Sequence, residues 1–195
     1  MVIHHATGFD HIRYILLDRD GVINHKPEEG TYIGHCDQFH LLPGVAPAIA
    51  ALNSSGRTVI VITNQRGIAL GLYSAADVEF IHQQLQMQLA ASNAHIDGFY
   101  LCPHDRNACD CRKPKTGLFT QARRDFPELS TANSLVIGDS LSDIEAARNF
   151  GAPSFFLLGD PATRKPGVQK AAELAVCVIH SLAEGVARIL GEESP

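Results

Sequence analysis

The chain has 195 residues, 45% of them hydrophobic, with 16 Lys and Arg set against 21 Asp and Glu. That content suffices for one substantial core, and a net charge of −5 offers no global basic field for nucleic acid or an anionic membrane surface. The opening MVIHHATGFDHIRY lacks a basic region followed by an apolar core, and no later apolar run reaches the ~20 residues of a membrane span, so a cytoplasmic protein is expected.

The first β-rich run, YILLD at 14–18, leads into Asp18, Arg19, Asp20 and Gly21. Two carboxylates so placed repel each other unless a cation or a shared proton compensates. Strand alternation sends Arg19 away from both, and no chemical role is expected of it. A loop over 25–42 follows, then a helix-period stretch at 45–54 and a second strand, TVIVIT at 58–63, that ends in Thr63, Asn64 and Gln65. A helix at 75–92 capped by Ser74 precedes a third strand, GFYLC at 98–102. Next come a cysteine-rich segment, a helix at 116–125 capped by Thr116, and a fourth strand, SLVIGD at 134–139. A helix at 141–150 capped by Ser140 or Ser142, a fifth strand at 153–158, an edge strand within LAVCVI and a closing helix at 181–190 complete the series. This alternation predicts an α/β fold, a three-layer Rossmann-like arrangement with a parallel central sheet and helices on both faces. One domain over 1–195 is expected, and the insertions at 25–42 and 101–115 are too short for a cap domain.

Three strand ends carry polar residues of one kind: Asp18 and Asp20, then Thr63 with Asn64, then Asp139 with Ser140 and Asp143. In an open parallel sheet such ends converge on one crevice. Each alone is as readily a turn or an N-cap, and the convergence of three favours a site. Asp18, Asp20 and Asp139 or Asp143 offer hard oxygen ligands suited to Mg²⁺ together with substrate phosphate oxygens. With the cation in place, one carboxylate can act as nucleophile while the other handles a proton. Thr63 and Lys113 are placed to supply a hydroxyl and a fixed charge to a transferring phosphoryl group.

The segment CPHDRNACDC at 102–111 reads C-x-H-x4-C-x-C. Cys102, His104, Cys109 and Cys111 make a full tetrahedral set for a structural Zn²⁺, with no open position for catalysis. Unpaired loop cysteines are the bland alternative, and no C-x-x-C is present to suggest a redox role. Zinc there would fix Arg112 and Lys113 just beyond the last ligand. Cys36, Cys177, His4, His5 and His11 are taken as packing or surface residues.

D-x-D-G-V-I-N, T-N-Q, R-K-P and G-D-x-x-x-D, in this order over 18–143, resemble the four motifs of the haloacid dehalogenase (HAD) superfamily of aspartate-nucleophile phosphotransferases. The resemblance implies Asp18 as nucleophile, Asp20 as general acid/base, Thr63 and Lys113 as phosphate binders, and Asp139 beside Asp18 and Asp20 in the magnesium set. Asp143 is implied in a supporting role. The cysteine-histidine loop running into C-R-K-P resembles one branch, the capless phosphatases that include heptose 1,7-bisphosphate phosphatases and histidinol-phosphate phosphatases. TNQRGIALGLYS is similar to the heptose pattern, while the short spacing from His104 to Cys109 is similar to the histidinol enzymes. The implied reaction is removal of the C7 phosphate of D-glycero-D-manno-heptose 1,7-bisphosphate, on the pattern of the β-anomer enzymes, with histidinol phosphate as alternative. Ser140 stands where the heptose enzymes commonly have lysine, one positive charge fewer.

A bisphosphate needs a second set of polar groups, for which Asn64, Arg66, Arg112 and the loop bearing Lys26 are candidates. Lys26 and Arg66 read equally well as solvated surface side chains. A monomer acting on a small sugar phosphate is expected, with no nucleic-acid or membrane partner. A non-catalytic zinc- and magnesium-binding module and a phosphomutase are the other classes; the paired acids argue against the first and the lack of a cap against the second.

Overall fold

The structure is a computed structural model that describes residues 8–28, 30–164 and 166–192; His4, His5 and Glu29 lie outside them. Six strands, β1 (Tyr14–Leu17), β2 (Thr58–Asn64), β3 (Gly98–Cys102), β4 (Ser134–Gly138), β5 (Ser154–Leu157) and β6 (Cys177–Ile179), alternate with six helices. The helices are α1 (Val45–Ser54), α2 (Ala75–Ala90), α3 (Gly117–Asp125), α4 (Leu141–Phe150), α5 (Val168–Leu174) and α6 (Leu182–Leu190). The strands form one parallel sheet in the order β3-β2-β1-β4-β5-β6.

Strand alternation splits the core into two layers. Ile15, Leu17, Val59, Val61, Leu135 and Ile137 face one side, where they pack with Ile49 and Leu52 of α1, Ile81 and Leu85 of α2, and Val186 and Ile189 of α6. Tyr14, Leu16, Ile60, Ile62 and Val136 face the other, against Leu118 and Phe119 of α3 and Ala146 and Ala147 of α4. Because both faces are covered, the strands read as continuous apolar runs rather than alternating ones. The expected helices on both faces are therefore present, each seated on its own set of strand residues.

Helix α5 is the element that the sequence pattern does not announce. It has seven residues and buries Ala171 alone, too short a stripe to stand out by periodicity. Its Leu174 ends the helix, which confines the edge strand expected within LAVCVI to Cys177–Ile179.

The strand order reverses between β1 and β4, and in an open parallel sheet the crevice at the carboxyl ends of the strands opens at that reversal. Asp18 follows β1 and donates its N–H to Ile137 O of β4 at 2.9 Å, while Asp139 follows β4 directly. The sheet thus brings residues more than a hundred positions apart in sequence to one point.

Candidate active site

Carboxylate oxygens of Asp18, Asp139 and Asp143 lie within 4.8 Å of one another. Two lysines face this cluster. Lys113 Nζ, almost fully buried, donates to Asp18 Oδ1 at 2.8 Å and to Ile62 O at 2.6 Å, and pairs with Asp143 Oδ1 at 2.6 Å. Lys26 Nζ pairs with Asp139 Oδ2. Asp143 also accepts from Ser140 N–H at 3.0 Å and from Ser140 Oγ at 2.5 Å, so it is fixed by the first turn of α4. Ser140 is thereby occupied as a helix cap, and a positive charge beside Asp139 comes from the loop after β1 through Lys26.

Three carboxylates against two ammonium groups leave the cluster short of positive charge. Burial and the neighbouring Asp143 push the Asp18 carboxyl up, with Lys113 opposing. Burial and Asp18 push Asp139 up to about 7, against the pull of Lys26. Burial would lower Lys113, but Asp143 and Asp18 more than reverse that and hold it charged. A divalent cation would meet this deficit, and Asp139 Oδ1 is buried with no hydrogen-bond partner among the described residues. The oxygens of Asp18, Asp139 and Asp143 are the hard donors that Mg²⁺ takes. Close approach here explains the glycine after Asp20: Gly21 has φ +98°, and a Cβ on it would lie 2.2 Å from Asp139 Oδ2.

The Asp20 carboxylate stands apart from that cluster of three. The reason is Arg19, for which strand alternation predicts no role. β1 ends at Leu17, so alternation no longer governs Arg19; its side chain is fully buried and turns onto Asp20. Arg19 Nε and Nη2 donate to Asp20 Oδ1 at 3.1 and 3.0 Å, and Nη2 donates to Oδ2 at 3.1 Å. Asn24 Nδ2 adds a bond to Oδ1 at 2.9 Å and Gln65 Nε2 one to Oδ2 at 3.0 Å, with Tyr73 Oη donating to Gln65 Oε1 at 2.8 Å. Burial alone would raise the Asp20 carboxyl, yet the Arg19 charge and these donors hold it below the usual carboxylate range. Asn24 and Gln65 were visible inside the DGVIN and TNQ motifs; nothing in the local pattern signalled Arg19.

Thr63 is buried at the end of β2 and its Oγ1 accepts from Gln65 Nε2 at 2.9 Å. Asn64 is engaged with the main chain of Lys113, Nδ2 to the carbonyl at 3.2 Å and Oδ1 to the N–H at 3.1 Å, so its amide is committed to holding the lysine. Arg66 is not simply a solvated side chain: its Nε donates to Asp105 Oδ1 at 2.5 Å and ties the β2 loop to the cysteine-rich loop. Arg112 N–H lies 3.4 Å from Cys109 Sγ, and its Nη1 reaches His104 O at 3.5 Å. Lys26 is neither on the surface nor with these arginines, since its side chain is 8% exposed and lies on the opposite flank of Asp18. There a cavity of about 390 Å³ is lined by Gly21, His25, Lys26, Asp139, Thr163 and His180.

On the β2–β3 flank, Cys102, His104, Cys109 and Cys111 form one cluster, and all five cysteines of the chain are free. Cys111 Sγ lies 3.3 Å from Cys102 Sγ, from Cys109 Sγ and from His104 Nδ1; Cys102 Sγ lies 3.5 Å from Cys109 Sγ and 3.7 Å from His104 Nδ1. Four ligands about 2.0–2.3 Å from one ion in a tetrahedron are spaced at roughly 3.3–3.8 Å, so the group can hold a metal ion.

The HAD-hydrolase-like family model matches residues 110–185. The chain is 48% identical over 139 residues to the D-glycero-alpha-D-manno-heptose-1,7-bisphosphate 7-phosphatase of Mycobacterium bovis, covering 71% of this chain and 73% of that one. It is 35% identical over 191 residues to the D-glycero-beta-D-manno-heptose-1,7-bisphosphate 7-phosphatase of Escherichia coli K12, covering 93% and 95%. The structure of a D,D-heptose 1,7-bisphosphate phosphatase from B. bronchiseptica, complexed with magnesium and phosphate, superposes with a TM-score of 0.81 at 30% identity, covering 92% of this chain and 99% of that one.

Proposed function

The chain belongs to the HAD-like hydrolases, among the heptose-1,7-bisphosphate 7-phosphatases, and from that premise we propose that it removes the C7 phosphate of D-glycero-D-manno-heptose 1,7-bisphosphate. The observation that carries the mechanism is the meeting of Asp18, Lys113 and Asp139 at the β1–β4 reversal. Asp18 attacks phosphorus, the bond to the C7 oxygen breaks, and the phosphoryl group passes to Asp18 as an aspartyl phosphate. Asp20 gives the departing C7 oxygen a proton and takes one back from the water that cleaves the phosphoenzyme. The donors around Asp20 favour the ionised form that the second step needs. Lys113, held by Asn64, and the Thr63 hydroxyl face the phosphoryl oxygens.

Asp18, Asp139 and Asp143 would hold Mg²⁺, which screens the charge of the phosphoryl group when bound. Cys102, His104, Cys109 and Cys111 fit Zn²⁺ by their soft donors and closed set, and they would hold it where it steadies the loop that carries Arg112 and Lys113. Arg112, with Arg66 beside it through Asp105, is the group set for the remote phosphate. The 48% identity over 139 residues to the α-anomer enzyme, beside 35% over 191 residues to the β-anomer enzyme, supports the α anomer as preferred substrate. One domain without a cap leaves this discrimination to the loops.

The test is kcat/KM measured side by side on both anomers of the bisphosphate, on the heptose monophosphate and on histidinol phosphate. A preference of about tenfold or more for histidinol phosphate, ~1.4 kcal/mol in transition-state binding, overturns the substrate assignment and leaves the chemistry intact.

A further inference from the structure

Lys26 makes a claim on the same carboxylate that the divalent cation needs. Its ammonium pairs with Asp139 Oδ2, with the lysine side chain 8% and the aspartate side chain 4% exposed. A buried carboxylate left without a positive partner is strongly destabilised. Lys26 can therefore leave Asp139 readily only when another cation takes its place. The exchange also has room. Asp139 and Lys26 both line the cavity of about 390 Å³, together with Gly21 and His25, and a lysine's flexible four-carbon stem lets the ammonium re-aim without moving the backbone.

We propose that Lys26 is a positioning residue that exchanges between Asp139 and the substrate's phosphoryl group, so that divalent-cation binding and phosphate binding are coupled through it. Without phosphate the ammonium competes for Asp139 and weakens the metal site. With phosphate bound, the ammonium moves to the new anion, Asp139 is freed, and the cation binds more tightly. By linkage, the cation strengthens phosphate binding by the same factor. Lys113 cannot perform this exchange, since it is fixed by Asp18, Asp143 and the Ile62 carbonyl together. The inference rests on the reading of Asp139 as a metal ligand.

The test is Mn²⁺ binding followed by electron paramagnetic resonance, with and without inorganic phosphate, on the full chain. Lys26→Met, with Lys26→Gln as a second neutral variant should the first fold poorly, is expected to bind Mn²⁺ on the order of tenfold more tightly than wild type when phosphate is absent, within the usual range of coupling. Phosphate should then tighten Mn²⁺ binding less in the neutral variant than in wild type. Lys26→Arg, which keeps the charge, should stay within about threefold of wild type in Mn²⁺ affinity. Equal or weaker Mn²⁺ binding in the neutral variants, or tightening in Lys26→Arg equal to theirs, overturns the exchange. Asp139→Asn separates the two levels of the argument. If it loses Mn²⁺ while the neutral Lys26 variants gain nothing, the metal reading stands and the exchange fails; if it binds Mn²⁺ like wild type, both fall.

Discussion

The Asn64 side chain grips the main chain of Lys113 from both sides, donating to its carbonyl at 3.2 Å and accepting from its N–H at 3.1 Å. Two segments 49 residues apart are joined in this way: the end of β2 and the turn that follows the cysteine-rich loop. The lysine that faces Asp18 is thus placed by an amide that does not itself reach the phosphoryl group. Asn64→Ala should lower kcat/KM by roughly ten- to a hundredfold, the equivalent of about 1–3 kcal/mol for two unmade hydrogen bonds. Steady-state kinetics check this, and an unchanged KM for Mg²⁺ activation would show that the loss lies with Lys113 rather than the carboxylates.

Asp18→Asn should abolish turnover with the fold intact, because an amide cannot form the phosphoenzyme. Asp20→Asn should cost ~10²–10⁴-fold on an alkyl phosphate and far less on p-nitrophenyl phosphate, whose leaving group needs no proton. Equal losses on the two substrates would remove Asp20 as proton donor. The sign of the pH effect follows from its surroundings. Asp20 must be protonated to act on the leaving group and is held below the usual carboxylate range, so kcat/KM for an alkyl phosphate should fall as pH rises from the acid side of that range. Asn24→Ala removes one donor to the carboxylate and should move that fall to higher pH.

The cysteine cluster should bind one Zn²⁺ per chain, measurable by elemental analysis of protein purified without chelator. Cys109→Ala should reduce zinc content, thermal stability and activity together, since Lys113 follows two residues after the last ligand, Cys111. Added Mg²⁺ should remain necessary in zinc-loaded protein, because hard oxygen and soft sulfur donors select different ions.

His82 gives a stability prediction away from the chemistry. It is buried in α2, stacks on Phe99 with ring centroids 4.2 Å apart, and neither ring nitrogen has a hydrogen-bond partner among the described residues. Burial first, and the charge of Arg19 second, lower its pKa from 6.5 to about 3. Between those two values the unfolded chain binds a proton that the folded one refuses, so stability is lost as pH falls from about 6.5 toward about 3. His82→Phe should flatten that limb in denaturant titrations and leave neutral-pH activity near wild type. An identical acid limb in the variant would place the sensitivity elsewhere.

The α/β alternation, the carboxylate-bearing strand ends and the sulfur-rich loop are all legible in the order of residues alone. Each is a short-range signal: an apolar run with a breaker behind it, or four soft ligands within ten residues. How the charges pair, by contrast, depends on long-range packing. Strand alternation sent Arg19 away from Asp20, but the strand ends at Leu17, and a buried guanidinium turns to the nearest carboxylate that can satisfy it. Lys26 reads locally as either a phosphate contact or a loop lysine facing water, and it is the sheet order that sets β1 beside β4 and brings Asp139, 113 residues further on, within its reach. Asn64 reads locally as a substrate contact, and its bonds to the main chain of Lys113 emerge only once the fold brings these distant segments together. Which residues carry charge is written locally, whereas which charges neutralise one another depends on the burial and strand neighbours that the fold supplies.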